Sequence, residues 1–209
     1  MKISDREQHH VLVVGICGSL RPGSYTRMAV NLALQGAQQV GARTQLIDLR
    51  DYQLAFCHGG DAGSYHTDVS RLRNDVGQAQ GIILGTPEYH GGVSGVLKNA
   101  IDLMGFSEFE GKMIGMVGVS GGALGAVHAL NALRVVGRAL HAWIVPEQAS
   151  VPSAWKHFDD KGNLKDEDLR DRLLEVGKQV ARFAYLHTAE ESQKFLSEWE
   201  AAPVNPGGY

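Results

Sequence analysis

The 209-residue chain predicts a doubly wound α/β domain, with five parallel strands in the order 2-1-3-4-5 and helices on both faces. Three observations carry that prediction. Short apolar runs alternate five times with stretches of helical period. Several of those runs are apolar at consecutive positions, as strands covered on both faces must be. The 26 glycines, about 12% of the chain against a usual ~7%, recur where strands give way to helices.

The first strand is the β-branched run from Val11 to Ile16. The loop from Cys17 to Gly23 follows, and then Tyr25, Met28, Ala29, Leu32 and Gly36 recur at helical spacing with Ser24 as N-cap. Thr44–Leu49 is the second strand. Arg50–Tyr65 is irregular and long, which suits a functional loop, and Asp68–Ala79 reads as a weak helix. The third strand, Gly81–Gly85, leads into a turn-rich segment from Thr86 to Gly92. Val93, Val96, Leu97, Ala100, Ile101 and Met104 then mark one face of a helix. Lys112–Val119 is the fourth strand, followed by a helix over Ala123–Leu140 that buries Ala126, Leu130, Leu133 and Val136. Trp143–Val145 is the fifth strand. The last long helix, Asp166–Leu186, aligns Leu169, Leu173, Val176 and Val180, and its acidic first turn suits the positive helix end.

Residues 1–188 therefore form one domain, and residues 189–209 form a peripheral tail. Phe195, Leu196 and Trp199 offer to dock that tail, while Pro203 and Pro206-Gly-Gly208 point to a loose end. Net charge is −3, from 20 Lys+Arg against 23 Asp+Glu, which excludes a strong basic footprint for nucleic acid. No apolar run is long enough to span a membrane, and the start from Met1 to His10 is polar. Two cysteines give neither a disulfide framework nor a four-cysteine zinc site. The expectation is a cytoplasmic protein without membrane or nucleic-acid partners.

Ligands of open parallel sheets bind beyond the carboxyl ends of the strands, and three glycine-bearing loops fall at that edge. In the first, Gly18-Ser-Leu-Arg-Pro-Gly-Ser-Tyr-Thr26, glycines turn backbone N–H groups inward, hydroxyls add donors, Arg21 adds charge and a helix begins. Such a cradle suits a phosphate better than it suits a plain turn with a solvated arginine. It is neither a dinucleotide fingerprint nor a Walker A loop. In the second, Pro87 sets a rigid turn, and Gly91-Gly92 allows close approach of a flat ligand to Tyr89 and His90. A turn whose tyrosine covers an apolar rim is an equal reading. The third, Ser120-Gly-Gly122, read alone, is first of all a plain strand-to-helix turn.

Taken together, these loops resemble the NAD(P)H-dependent FMN reductases of the flavodoxin-like superfamily, which include azoreductase-, quinone reductase- and chromate reductase-type members. The resemblance rests on Gly18-Ser-Leu-Arg21 with Ser24-Tyr25, Pro87-Glu-Tyr89, Gly95-Val-Leu-Lys-Asn-Ala-Ile-Asp102, and Gly111-Lys112 leading to Ser120-Gly-Gly122. It implies a flavodoxin-like three-layer sandwich. It assigns the FMN phosphate to Ser19, Arg21, Ser24, Tyr25 and Thr26, and the isoalloxazine to Pro87, Glu88, Tyr89 and His90. Ser120, Gly121 and Gly122 go to the pyrimidine side. NAD(P)H is the implied co-substrate, with NADPH weakly preferred. A small-molecule acceptor (flavin, quinone, azo dye or metal oxyanion) and a homodimer or homotetramer are implied too. Many members carry Asn where this chain has Thr26 and His90. Thr26 keeps a hydroxyl donor, whereas His90 changes what lines the pocket.

No protein nucleophile or acid–base pair stands out, which suits an enzyme whose cofactor carries the chemistry. The alternatives are an FMN-binding electron carrier or flavin-dependent sensor without NAD(P)H turnover and, more weakly, an FMN-free phosphosugar or nucleotide binder. The mild charge speaks against the carrier. Nine histidines, His9-His10, His58, His66, His90, His128 and His141 among them, show no metal-ligand spacing. Cys17 lies where a helix N-terminus lowers a thiol pKa, but a small packing residue is the simpler reading, and Cys57 reads as a plain loop thiol. The charged run Lys161–Arg172 reads as a solvated helix start. Lys98 and Asp102 are spaced to pair, and Asn99 is expected to fix the preceding loop.

Overall fold

The structure, a computed structural model, describes residues 11–65, 68–159 and 162–201. His9, His10, His66, Lys161, Pro203 and Pro206–Gly208 lie outside the described residues.

Strand β1 (Leu12–Cys17) sits between β2 (Arg43–Asp48) and β3 (Gly81–Tyr89), parallel to both. A two-residue strand, β4 (Gly92–Val93), folds back antiparallel on β3. Strand β5 (Met113–Val119) pairs with β3, and β6 (Trp143–Val151) closes the edge, giving the path β2-β1-β3-β5-β6. Counting only the parallel strands, this is the expected 2-1-3-4-5 order, the flavodoxin-like arrangement.

Alternation along the strands separates two cores. Val13, Ile83 and Val117 face α1 (Tyr25–Gln39) and α7 (Glu167–Thr188). Val14, Ile16, Ile82, Leu84, Ile114 and Met116 face the opposite way. There they meet α2 (Val69–Gly77), α3 (Gly95–Asp102), α4 (Phe106–Phe109) and α5 (Val127–Ala139). Two short elements complete the order: α6 (Ala154–His157) and α8 (Glu190–Ala201). The last long helix starts as its sequence signals, with the Asp166 carboxylate accepting from Leu169 N at 3.0 Å. Among the described residues no helix is long and apolar enough to cross a membrane.

The α1 face differs from the expected one. Its buried positions are Thr26, Ala29, Val30, Ala33, Leu34, Gly36 and Ala37, while Tyr25, Met28 and Leu32 are only partly buried. The cause is close contact with α7. A Cβ on Gly36 would lie 1.9 Å from Leu174 O, and one on Gly177 1.7 Å from Ala33 O, so only glycine allows these helices to touch.

Two strands run longer than their prolines suggest. Pro87 is not a turn residue; it lies inside β3 opposite Val119, and the turn comes at His90-Gly91. Pro146 lies inside β6, where the register slips between Ile114 and Met116. An edge strand at a bulge tolerates a residue without an N–H. The α5 helix begins later than expected because Gly125 (φ 72°) breaks the chain before it. The α8 helix carries Phe195, Leu196 and Trp199 on its exposed surface, undocked, contrary to the expectation for the tail.

Candidate functional site

The carboxyl ends of β1, β3 and β5 converge on a cavity of about 520 Å³. Its first wall is the loop from Ser19 to Ser24 and the start of α1. Ser24 caps that helix, its Oγ accepting from Arg27 N at 3.2 Å. The N–H groups of Tyr25 and Thr26 have no helical acceptor, as first-turn donors never do, and engage no other group among the described residues. Ser19 and Thr26 are 3% and 2% exposed, yet their hydroxyls also make no hydrogen bond among the described residues. Hydroxyls that open onto the cavity and free N–H groups at one helix N-terminus, with the exposed Arg21 beside them, are the donor set a phosphate requires.

The loop is braced from behind by a residue that sequence reasoning missed. Arg27 donates to Pro22 O at 2.8 Å and lies 3.5 Å from the buried Asp48 at the end of β2. Burial and the nearby Asp51 charge push the Asp48 carboxyl up, and Arg27 opposes that shift. Gly18 N donates to Gly85 O at 2.8 Å, and Gly18 O accepts from Ser94 Oγ at 2.7 Å. Ser94 also caps α3 through Leu97 N, and its own N–H donates to Thr86 Oγ1 at 3.1 Å. One buried serine thus ties the phosphate-side loop to α3 and to β3. Cys17 below it is fully buried, and burial raises its thiol pKa, so the packing reading holds and a lowered pKa does not.

The second wall is Pro87, Glu88 and Tyr89. Glu88 is not free to meet a ligand with its whole carboxylate, because Oε2 accepts from Ala129 N at 2.9 Å in the first turn of α5. His90 does not line the cavity. With φ of 52° and 73°, His90 and Gly91 form the two left-handed corners of the β3–β4 hairpin.

The third wall is Val119, Ser120 and Gly121. Gly122 stands apart from it. Its N–H donates to Ser120 Oγ at 3.0 Å and its carbonyl accepts from Ser153 N at 2.9 Å. That second bond holds the turn into α6, whose Ala154 and exposed Trp155 line the cavity unforeseen. The available signal was an aromatic residue just past the last strand. Tyr25, at the cavity's edge, stacks on Phe158 with ring centroids 5.3 Å apart. Of the twelve expected site residues, all but His90 and Gly122 border this one cavity.

Asn99 does fix a loop, but not the preceding one. It donates to Ala55 O and accepts from Cys57 N, both at 2.9 Å, and so holds the Arg50–Tyr65 segment. Lys98 and Asp102 pair at 2.7 Å on the exposed side of the same helix.

The family model described as NADPH-dependent FMN reductase matches residues 11–156. An NAD(P)H-dependent FAD/FMN reductase of Geobacillus thermodenitrificans is 31% identical over 170 residues, covering 80% of this chain and 90% of that protein. The NADPH-dependent FMN reductase ArsH of Shigella flexneri is 32% identical over 181 residues, covering 84% and 69%. In fold, the chain resembles the flavoenzyme NAD(P)H:(acceptor) oxidoreductase FerB of Paracoccus denitrificans. Their TM-score is 0.65 at 22% identity, over 85% of this chain and 98% of that one.

Proposed function

Because this chain belongs to the NADPH-dependent FMN reductase family, we propose that it seats FMN in the cavity between β1, β3 and β5 and passes electrons from NAD(P)H to small acceptors such as quinones, azo compounds, free flavin or metal oxyanions. The observation that carries this reading is the pair of hydroxyls of the largely buried Ser19 and Thr26, without a hydrogen-bond partner among the described residues and open to the cavity, beside the N-terminus of α1 and Arg21. FMN bound there would supply a two-electron carrier between NAD(P)H and the acceptor.

The chain's own residues bind, orient and shield. Ser19, Arg21, Ser24, Tyr25 and Thr26 hold the phosphate with hydroxyl, backbone and guanidinium donors. Pro87 and Tyr89 form the wall for the isoalloxazine, with Glu88 fixing that wall to α5. Gly121 presents its backbone to the pyrimidine edge, Ser120 N and O being engaged with Val151 and Ala154, and Trp155 lines the cavity. Among the described residues, no histidine or cysteine lines the cavity.

The same reading places the enzyme in the cytoplasm as a dimer or tetramer. The exposed Phe195, Leu196 and Trp199 of α8 support self-association, which light scattering at micromolar protein measures directly. Anaerobic stopped-flow mixing of the flavin-loaded protein with NADPH, and separately NADH, tests the activity. The flavin band near ~450 nm bleaches with at least one of them; full colour retained with both refutes the assignment.

A further inference from the structure

Among the described residues that line the first cavity, Arg21 and Glu88 are the only charged ones. A second cation stands beside it. Trp155 lines the cavity yet is 60% exposed, and Lys156 Nζ lies 5.1 Å from the centroid of its ring. Lys156 is itself exposed, and its ammonium makes no hydrogen bond or ion pair among the described residues. The neighbouring basic groups are already engaged. Arg27 is held by Pro22 O and Asp48, and His157 Nδ1 lies 3.2 Å from the Asp166 carboxylate.

The segment that carries Lys156 is pinned at both ends. Ser153, with φ of 41°, takes a left-handed conformation that a residue with a side chain seldom adopts. Its N–H donates to Gly122 O at 2.9 Å, and Ala154 N donates to Ser120 O at 3.0 Å. Beyond α6, Lys165 N donates to His157 O at 2.8 Å, and Phe158 stacks on Tyr25. The backbone between these anchors presents an indole and an ammonium to solvent, next to the turn that carries Gly121. An ammonium over an aromatic face is oriented without being neutralised, so its charge stays available to an anion.

FMN brings one phosphate, which the start of α1 and Arg21 already answer. The electron donor brings more: a pyrophosphate in both nicotinamide dinucleotides and a 2′-phosphate in NADPH. We propose that Lys156, oriented by Trp155, binds a phosphate of the nicotinamide dinucleotide and so sets the affinity for the electron donor. The inference deepens the flavin assignment above and rests on it.

The test mixes flavin-loaded wild type, Lys156→Gln and Lys156→Arg anaerobically with a range of NADPH and, separately, NADH concentrations. The rate of flavin bleaching gives a dissociation constant from its concentration dependence and a limiting rate from its plateau. An exposed side chain in a short surface helix leaves folding intact when replaced. Lys156→Gln raises the dissociation constant by roughly fivefold at an unchanged limiting rate, Lys156→Arg restores most of the affinity, and added salt narrows the difference. A rise with NADPH alone assigns the contact to the 2′-phosphate, and an equal rise with both donors assigns it to the pyrophosphate. An unchanged dissociation constant for both overturns the proposal. So does a matching loss of preference for FMN over riboflavin in Lys156→Gln, which puts the ammonium on the flavin phosphate. Wild type that keeps its colour with both donors refutes the flavin assignment and this inference with it, a failure seen without any variant.

Discussion

Replacing Ser94 by alanine removes one oxygen and disturbs two parts of the molecule. The hydroxyl donates to Gly18 O at 2.7 Å and accepts from Leu97 N at 3.2 Å, in a residue only 1% exposed. Loss of the α3 cap costs about 1 kcal/mol. Leaving the Gly18 carbonyl buried without a donor costs about 1–3 kcal/mol more. The expected total is roughly 2–4 kcal/mol, with the backbone bond from Ser94 N to Thr86 unaffected. Urea unfolding of the flavin-free protein reads this as a lower midpoint at unchanged slope. FMN affinity falls as well, because Gly18 opens the loop that carries Ser19 and Arg21. Lys98→Ala is the control on the same helix, where an exposed pair contributes only a few tenths of a kcal/mol. A Ser94→Ala loss below ~0.5 kcal/mol, or one equal to the control, refutes the bridging role.

Two other outcomes follow from local geometry. His90→Asn places the preferred residue at the first left-handed corner of the hairpin, and it raises stability by about 0.5 kcal/mol, visible as a Tm increase of ~1–2 °C. Lys112 is half-buried and donates to Val76 O and Gly77 O at 3.0 and 2.8 Å, and burial lowers its pKa from 10.5 to about 8 against the opposing pull of Glu108. Between those two values the unfolded chain binds more protons than the folded one, so this group's contribution rises as pH climbs from about 8 toward 10.5. Lys112→Met flattens that part of the pH profile of chemical denaturation, and a profile identical to wild type contradicts the shift.

Most of the architecture was legible because parallel strands and amphipathic helices leave periodic signals. The β1 run, the Ser24 cap and the apolar face of α7 all fall where the pattern puts them, while Asp166, read as part of the first turn, is the N-cap. Proline misled twice, because Pro87 and Pro146 read as chain breaks while the pairing around them tolerates a missing N–H. The deep face of α1 was illegible for another reason. Which side of a helix goes deepest depends on its partner, and here Gly177 lets α7 approach from 140 residues away in sequence. The three loops at the sheet edge could be placed from local signals alone. The partners of the side chains that brace them could not, since Arg27 reaches Asp48, Glu88 reaches Ala129, Ser94 reaches Gly18 and Asn99 reaches Ala55 and Cys57, all across long stretches of sequence. Trp155 was hidden likewise, because the bonds from Ser153 N to Gly122 O and from Ala154 N to Ser120 O bring it to the cavity.

The phosphate seat at the start of α1 can be isolated from everything else by titrating flavin-free wild type and Arg21→Ala with both FMN and riboflavin, which differ by that phosphate alone. Wild type favours FMN strongly, and removing the guanidinium narrows the gap by roughly tenfold to a hundredfold, the value of one charge-assisted contact, while riboflavin affinity stays nearly level. Equal binding of the two flavins by wild type, or a gap untouched by Arg21→Ala, contradicts the assignment.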